Sequence, residues 1–99
     1  MTAVMCPTDD AALRALEVLD RVGVRVPQQL SITGFDGIAL LTTPLLGITT
    51  LRQPLKDIGR RAIDLVLAQI LGATRPVSHL ALPGILMPGR TTAPSSAHD

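Results

Sequence analysis

Arg25-Val26-Pro27-Gln28-Gln29-Leu30-Ser31-Ile32-Thr33-Gly34-Phe35-Asp36-Gly37 constrains the fold more than any other stretch of this chain. A proline restricts the residue before it, so Val26-Pro27 predicts an extended break after a helix. Ser31-Ile32-Thr33 is short and rich in β-branched residues, as a buried strand is. Gly34 permits a close backbone approach or an unusual φ. The run then delivers a carboxylate, Asp36, just past the strand's carboxyl end, which is where open α/β sheets bind their ligands.

The segments on either side complete a pattern. Ala3-Val4-Met5-Cys6 has the length and apolarity of a strand and is closed by Pro7. Thr8 is placed to cap a helix, with Asp9 and Asp10 in the first turn where the dipole favours negative charge. Ala12, Ala15, Leu16, Leu19 and Val22 follow helical spacing, and Gly23 stands where a helix C′ glycine belongs. The order is therefore β–α–β, and so short a crossover implies two parallel strands. Residues 38–47 are apolar without a period and read as a loop or one short helical turn with exposed leucines. Residues 48–51 read as extended, and Pro54 fits the first position of a second helix. That helix would bury Leu55, Ile58, Gly59, Ala62, Ile63, Val66 and Ile70 and end at Gly72. Asp57, Arg60, Arg61 and Asp64 form its solvated side. A turn at 73–76, a strand at 77–82 and a short apolar run at 85–87 follow. Residues 91–99 are small and polar and read as a frayed tail, with one folded domain over 1–94 and disorder over 95–99.

Composition narrows the function classes. With 46% hydrophobic and 17% charged residues the chain is globular in character. A chain of this size buries about 60–70% of its unfolded surface, so its stability without a partner is marginal. Phe35 is the single aromatic residue, and the core must be aliphatic. The net charge is +1 and the basic residues are scattered, with neither the stripe nor the aromatic ladder of a nucleic-acid surface. Cys6 stands alone in an apolar run and reads as a reduced thiol. No signal peptide and no membrane span is legible, and the expected location is the cytoplasm. Catalysis finds no support. Asp9 and Asp10 are adjacent and point apart on a helix, His79 and His98 lack companions at metal-ligand spacing, and Cys6 has no evident activating neighbour. No metal or cofactor is expected.

In order, these motifs resemble the effector-binding domain of LacI/GalR-type transcription regulators. That family carries VP-x-x-(L/V/I)-S-(V/I)-x-G-(F/Y)-D, matched by the run from Val26 to Asp36. Its Asn-Asp pair opening a helix corresponds to Thr8-Asp9, and its P-x-L-T-T-(V/I)-x-Q-P to the stretch ending Thr49-Thr50-Leu51-Arg52-Gln53-Pro54. Its following helix corresponds to Ile58-Gly59-Arg60-Arg61-Ala62 through Ile70-Leu71-Gly72, and its tail, loosely, to Leu82-Pro83-Gly84-Ile85-Leu86-Met87-Pro88. The resemblance implies an α/β fold, a partial Rossmann-like parallel sheet with flanking helices, belonging to a type I periplasmic-binding-protein-like domain. It covers the carboxyl-terminal part of that domain, and the helix-turn-helix that reads DNA in family members has no counterpart here.

The resemblance also assigns candidate residues. Asp36 would contact a sugar or nucleoside effector, its carboxylate accepting from hydroxyls or a base N–H. From the residues alone it could equally cap its own turn beside Gly37. Thr8 stands at an effector-contacting position and is also a plausible N-cap. Gln53 could touch effector or the crossover between subdomains, or be solvated before Pro54. Phe35 could stack on a ligand or belong to the core. The first helix and the loop after Gly-Phe-Asp would contribute to a homodimer, which selects Leu13, with Val18 beside it, and Leu40 and Leu41. Core packing is the competing reading for these. Two further possibilities are a periplasmic sugar-binding protein of the same two-lobed fold and a stand-alone dimerisation module without ligand.

Overall fold

The computed structural model describes residues 1–72 and 79–95. Its chain forms two compact units, one of Met1–Gln53 with the segment that begins at Ile85, the other of Pro54–Gly84. The first is built as the β–α–β pattern predicts. Strand β1 (Ala3–Met5) leads into helix α1 (Asp9–Arg21), which returns to strand β2 (Ser31–Thr33), parallel to β1 with Val4 opposite Ile32. The Thr8 hydroxyl caps α1 by accepting from the Ala11 amide at 3.0 Å. At the other end Gly23 takes φ +81°, the left-handed conformation that lets the chain leave a helix and that glycine adopts without strain.

Strand β3 (Thr50–Arg52) continues this sheet. Single parallel bridges join Thr33 to Thr49 and Asp36 to Arg52. Beyond it lies β4 (Ile85–Met87), antiparallel to β3 with Leu51 opposite Leu86. Among the described residues Ala12, Ile32, Leu41 and Ile48 are the buried hydrophobic ones, and Val4, Cys6, Leu13, Leu16, Leu19, Val26, Leu30 and Leu46 pack around them. The core is as aliphatic as the composition requires.

Several expectations need correction. Residues 39–42 form one 3-10 turn, and it splits the leucine pair. Leu40 is 69% exposed, whereas Leu41 is 7% exposed and belongs to the core, so Leu41 is not a surface residue of this unit. Leu13 likewise packs against the core cluster, while Val18 is exposed. Of the polar residues after 90, Thr91 to Ala93 are not a loose tail, whereas residues 96–99 lie outside the described residues. Thr91 is buried, its hydroxyl donates to the Ile32 carbonyl at 2.7 Å and accepts from the Thr49 amide at 2.9 Å, and its carbonyl accepts from the Ile32 amide. Thr92 shares a hydroxyl hydrogen bond with Thr49, and Ala93 bonds Ser31. Small polar residues enter an interior when every donor and acceptor is met, and here they are.

In the second unit, helix α2 spans Leu55–Ile70. Pro54 is its N-cap rather than its first helical residue, and Gly72 follows the C-cap Leu71 at φ +83°. The apolar spacing is present, but the face expected to be buried is not: no residue of α2 is buried, and Leu55, Ile63 and Ile70 are largely exposed. Periodicity records that a helix has an apolar side; it does not supply a covering layer. The turn at 73–76 and the start of the strand at 77–82 lie outside the described residues, and residues 79–82 are not a strand.

Candidate ligand site at the carboxyl ends of the strands

Thr8 follows β1, Phe35 and Asp36 follow β2, and Gln53 follows β3. Because these strands run parallel, the four candidate residues belong to one edge of the sheet. Asp36 is its centre. It adopts φ +127°, a region that non-glycine residues avoid, between a glycine two residues earlier and Gly37 at φ +77°. Strained residues of this kind persist when their surroundings hold them from several sides. The Asp36 amide donates to the Leu51 carbonyl at 3.0 Å, and the Asp36 carbonyl accepts from the Gln53 amide at 3.1 Å. The Gln53 side chain adds a third contact, donating from Nε2 to Asp36 Oδ1 at 2.6 Å. Asp36 Oδ2 accepts no hydrogen bond among the described residues. The self-capping alternative for Asp36 gives way to a clasp between the ends of β2 and β3.

Thr8 keeps its N-cap role, and its hydroxyl donates to no acceptor among the described residues. The next residue's amide donates to the Phe35 carbonyl at 2.9 Å, which brings the start of α1 against the turn that carries Asp36. Phe35 is 40% exposed and is not part of the buried core. Gln53 is half-buried and bonded, not solvated. Arg52 reaches around the same turn, with Nε donating to the Gly37 carbonyl and Nη2 to the Thr42 hydroxyl, both at 3.3 Å.

One residue that the sequence reading assigned to the helix dipole has a larger part. Asp9 is completely buried, accepts from Thr50 Oγ1 at 2.6 Å on Oδ1 and from the Ile38 amide at 2.7 Å on Oδ2. Next to Asp10, which is exposed, it is indistinguishable in sequence. The usable signal was Gly34, whose missing Cβ makes room for Asp9. Among the described residues no group of three or more His, Cys, Asp or Glu is arranged to hold a metal, and no helix is long and apolar enough to cross a membrane.

The parallel strands gather a carboxylate, an amide, a hydroxyl and an aromatic ring at their carboxyl edge, the edge where open α/β sheets bind their ligands. Comparison with known proteins makes the class specific. The model of the periplasmic binding protein-like domain matches residues 1–92. The HTH-type transcriptional repressor CytR of Escherichia coli K12 is 46% identical over 71 residues, 72% of this chain and 21% of the repressor. The crystal structure of a LacI transcriptional regulator from a Rhodococcus species superposes with a TM-score of 0.84 at 34% identity, over 95% of this chain and 34% of that one. The regulator CelR in complex with cellobiose gives a TM-score of 0.83 at 30% identity, over 92% of this chain and 28% of that one. This chain belongs to the periplasmic binding protein-like family, and the relatives and solved structures it resembles are LacI-type transcription regulators. It spans about a fifth to a quarter of the length of the curated relatives it matches. Those relatives are transcription regulators, which favours a regulator over a periplasmic sugar-binding protein as the reading of this chain.

Proposed function

We propose that this chain supplies half of a small-molecule effector site, of the sugar or nucleoside class, and part of the homodimer interface of a cytoplasmic transcription regulator. DNA would be reached only through a helix-turn-helix domain that has no counterpart in these residues, and the chain would act by binding, without catalysis, metal or cofactor. One observation carries the effector reading: the Asp36 carboxylate stands at the carboxyl edge of parallel strands with one oxygen clasped by Gln53 and the other accepting no hydrogen bond among the described residues. Such an acceptor suits vicinal hydroxyls or a base N–H. The cellobiose complex of CelR supports the sugar class. In a regulator, effector binding changes DNA affinity when the two states bind effector differently.

Titration of the isotope-labelled chain with a panel of disaccharides and ribonucleosides, followed by amide shifts, tests this. Shifts are expected at Thr8, residues 35–37 and Gln53. Asp36→Ala should weaken the response by about tenfold or more, the weight of hydrogen bonds to a charged acceptor. Millimolar ligand of both classes without any shift at these positions would defeat the reading.

The dimer reading rests on the segment after Asp36, where Ile38, Leu40 and Leu45 all expose large apolar side chains. Scattered apolar residues are ordinary, whereas a cluster on one loop suits a partner surface. Because Leu41 is core, the informative change is Leu40→Glu alone. It should leave the circular dichroism spectrum unaltered and convert a dimer to a monomer by light scattering. A mass that does not change would remove Leu40 from the interface.

A further inference from the structure

We propose that Asp9 is a positioning residue for Asp36, fixing the strained turn that presents the ligand-facing carboxylate; the inference rests on the effector reading of Asp36. Asp9 is 0% exposed, and a carboxylate so enclosed is retained where hydrogen bonds replace its water. Its two oxygens are spent on two different chain segments. Oδ2 accepts from the amide of Ile38, two residues beyond Asp36, and Oδ1 accepts from the hydroxyl of Thr50, three residues before Gln53. Its own amide donates to the carbonyl of Phe35, the residue before Asp36. The turn 35–38 is thus held at both ends by one residue of α1, and the strand that delivers Gln53 is held by the same carboxylate.

This matters because Asp36 does not rest in a relaxed conformation. At φ +127° it depends on external bonds, and those it makes itself all run to β3 and Gln53. They hold Asp36 in place only while the turn and β3 keep their mutual register. Asp9 bonds both from α1, beside the direct bond from the Arg52 side chain of β3 to the Gly37 carbonyl. It touches neither Asp36 Oδ1 nor Oδ2, so it acts through the backbone and not as a ligand contact.

The test needs no ligand, so the failure of the effector reading in a titration and the failure of this one are separate results. Nuclear magnetic resonance of the labelled chain reads the Ile38 amide, the Asp36 amide and the Gln53 side-chain amide protons, whose exchange is slowed by the bond to Asp36. In Asp9→Ala, exchange at all three should accelerate by about tenfold or more, with Ser31 and Ile32 retaining their protection. Asp9→Asn should restore the clasp. An asparagine keeps an oxygen for the Ile38 amide and can donate to the Thr50 hydroxyl, which is able to reverse its role. Acceleration at Ile38 with Asp36 and Gln53 unchanged would overturn the proposal, as would an asparagine variant no better than alanine. If Asp9→Ala does not fold, Thr50→Val decides, since it removes one donor at nearly constant shape. A loosened Gln53 side chain supports the proposal, and an unaltered one overturns it.

Discussion

Gly34→Ala is expected to destabilise the Met1–Gln53 unit by about 2–3 kcal/mol, the cost of forcing an added methyl into a packed site. The glycine is not there for its dihedral freedom, since its φ is outside the left-handed region. It is there for space: a Cβ would collide with Asp9 Oδ1 and stand 3.0 Å from the Asp9 Cα and 3.3 Å from its amide nitrogen. Side chains can often swing away from an intruding methyl, but this neighbour is anchored by Thr50, Ile38 and Phe35 at once. The same substitution at Gly59 is the control. Nothing lies within 4 Å of its Cβ position, and it sits inside α2, where alanine is the better helix former by about 0.5–1 kcal/mol. Urea unfolding should therefore move in opposite directions for the two variants. A Gly34→Ala midpoint equal to that of the parent would show that Asp9 can yield.

Ile32→Ala should have a still larger effect, about 2–5 kcal/mol, from lost transfer energy and the cavity left behind. Ile32 is 1% exposed at the middle of β2, and it is one of only four hydrophobic residues that are fully enclosed among the described residues. A small domain holds about 5–15 kcal/mol in total, so this one change removes a large share. Loss of a sigmoidal urea transition, or a midpoint shifted far down, is the expected result. Ile63→Ala deletes the same atoms from α2, where the side chain is mostly exposed, and should stay within about 0.5 kcal/mol. Equal effects at the two positions would mean that Ile32 is not the centre of the core.

These two isoleucines also mark how far the sequence could be read. Local signals came through: Thr8, the apolar period of α1 and Gly23 define a helix with both its ends, and the Leu30-to-Asp36 run sits where a strand and its terminal carboxylate were expected. What a residue meets across space did not. Residues 38–47 lack a period, so nothing distinguished Leu40 from Leu41, and the 3-10 turn that separates them is set by the packing of Leu41 beside Ile48. The polarity of Thr91 reads as solvation in sequence, whereas its hydroxyl and carbonyl complete bonds that β2 and β3 leave open. The site was legible as a list of candidate positions. The clasp between Gln53 and Asp36, and the burial of Asp9 beneath it, depend on β2 and β3 being neighbours, which no spacing within either segment encodes.

The bonds that Thr91 makes to β2 have a consequence for how the molecule comes into being. They join positions 59 residues apart, so the Ile32 amide finds its Thr91 carbonyl only after everything between them, α2 included, has been synthesised. Until then β2 has β1 on one side and β3 beside its end on the other, but its backbone stays open at Ile32, the condition in which nascent strands recruit the wrong partner. Closing so long a loop is also slow relative to forming α1. On the ribosome, the parallel strands would therefore spend their early life as an unfinished sheet, and Thr91 and Thr92 would be the residues that seal it.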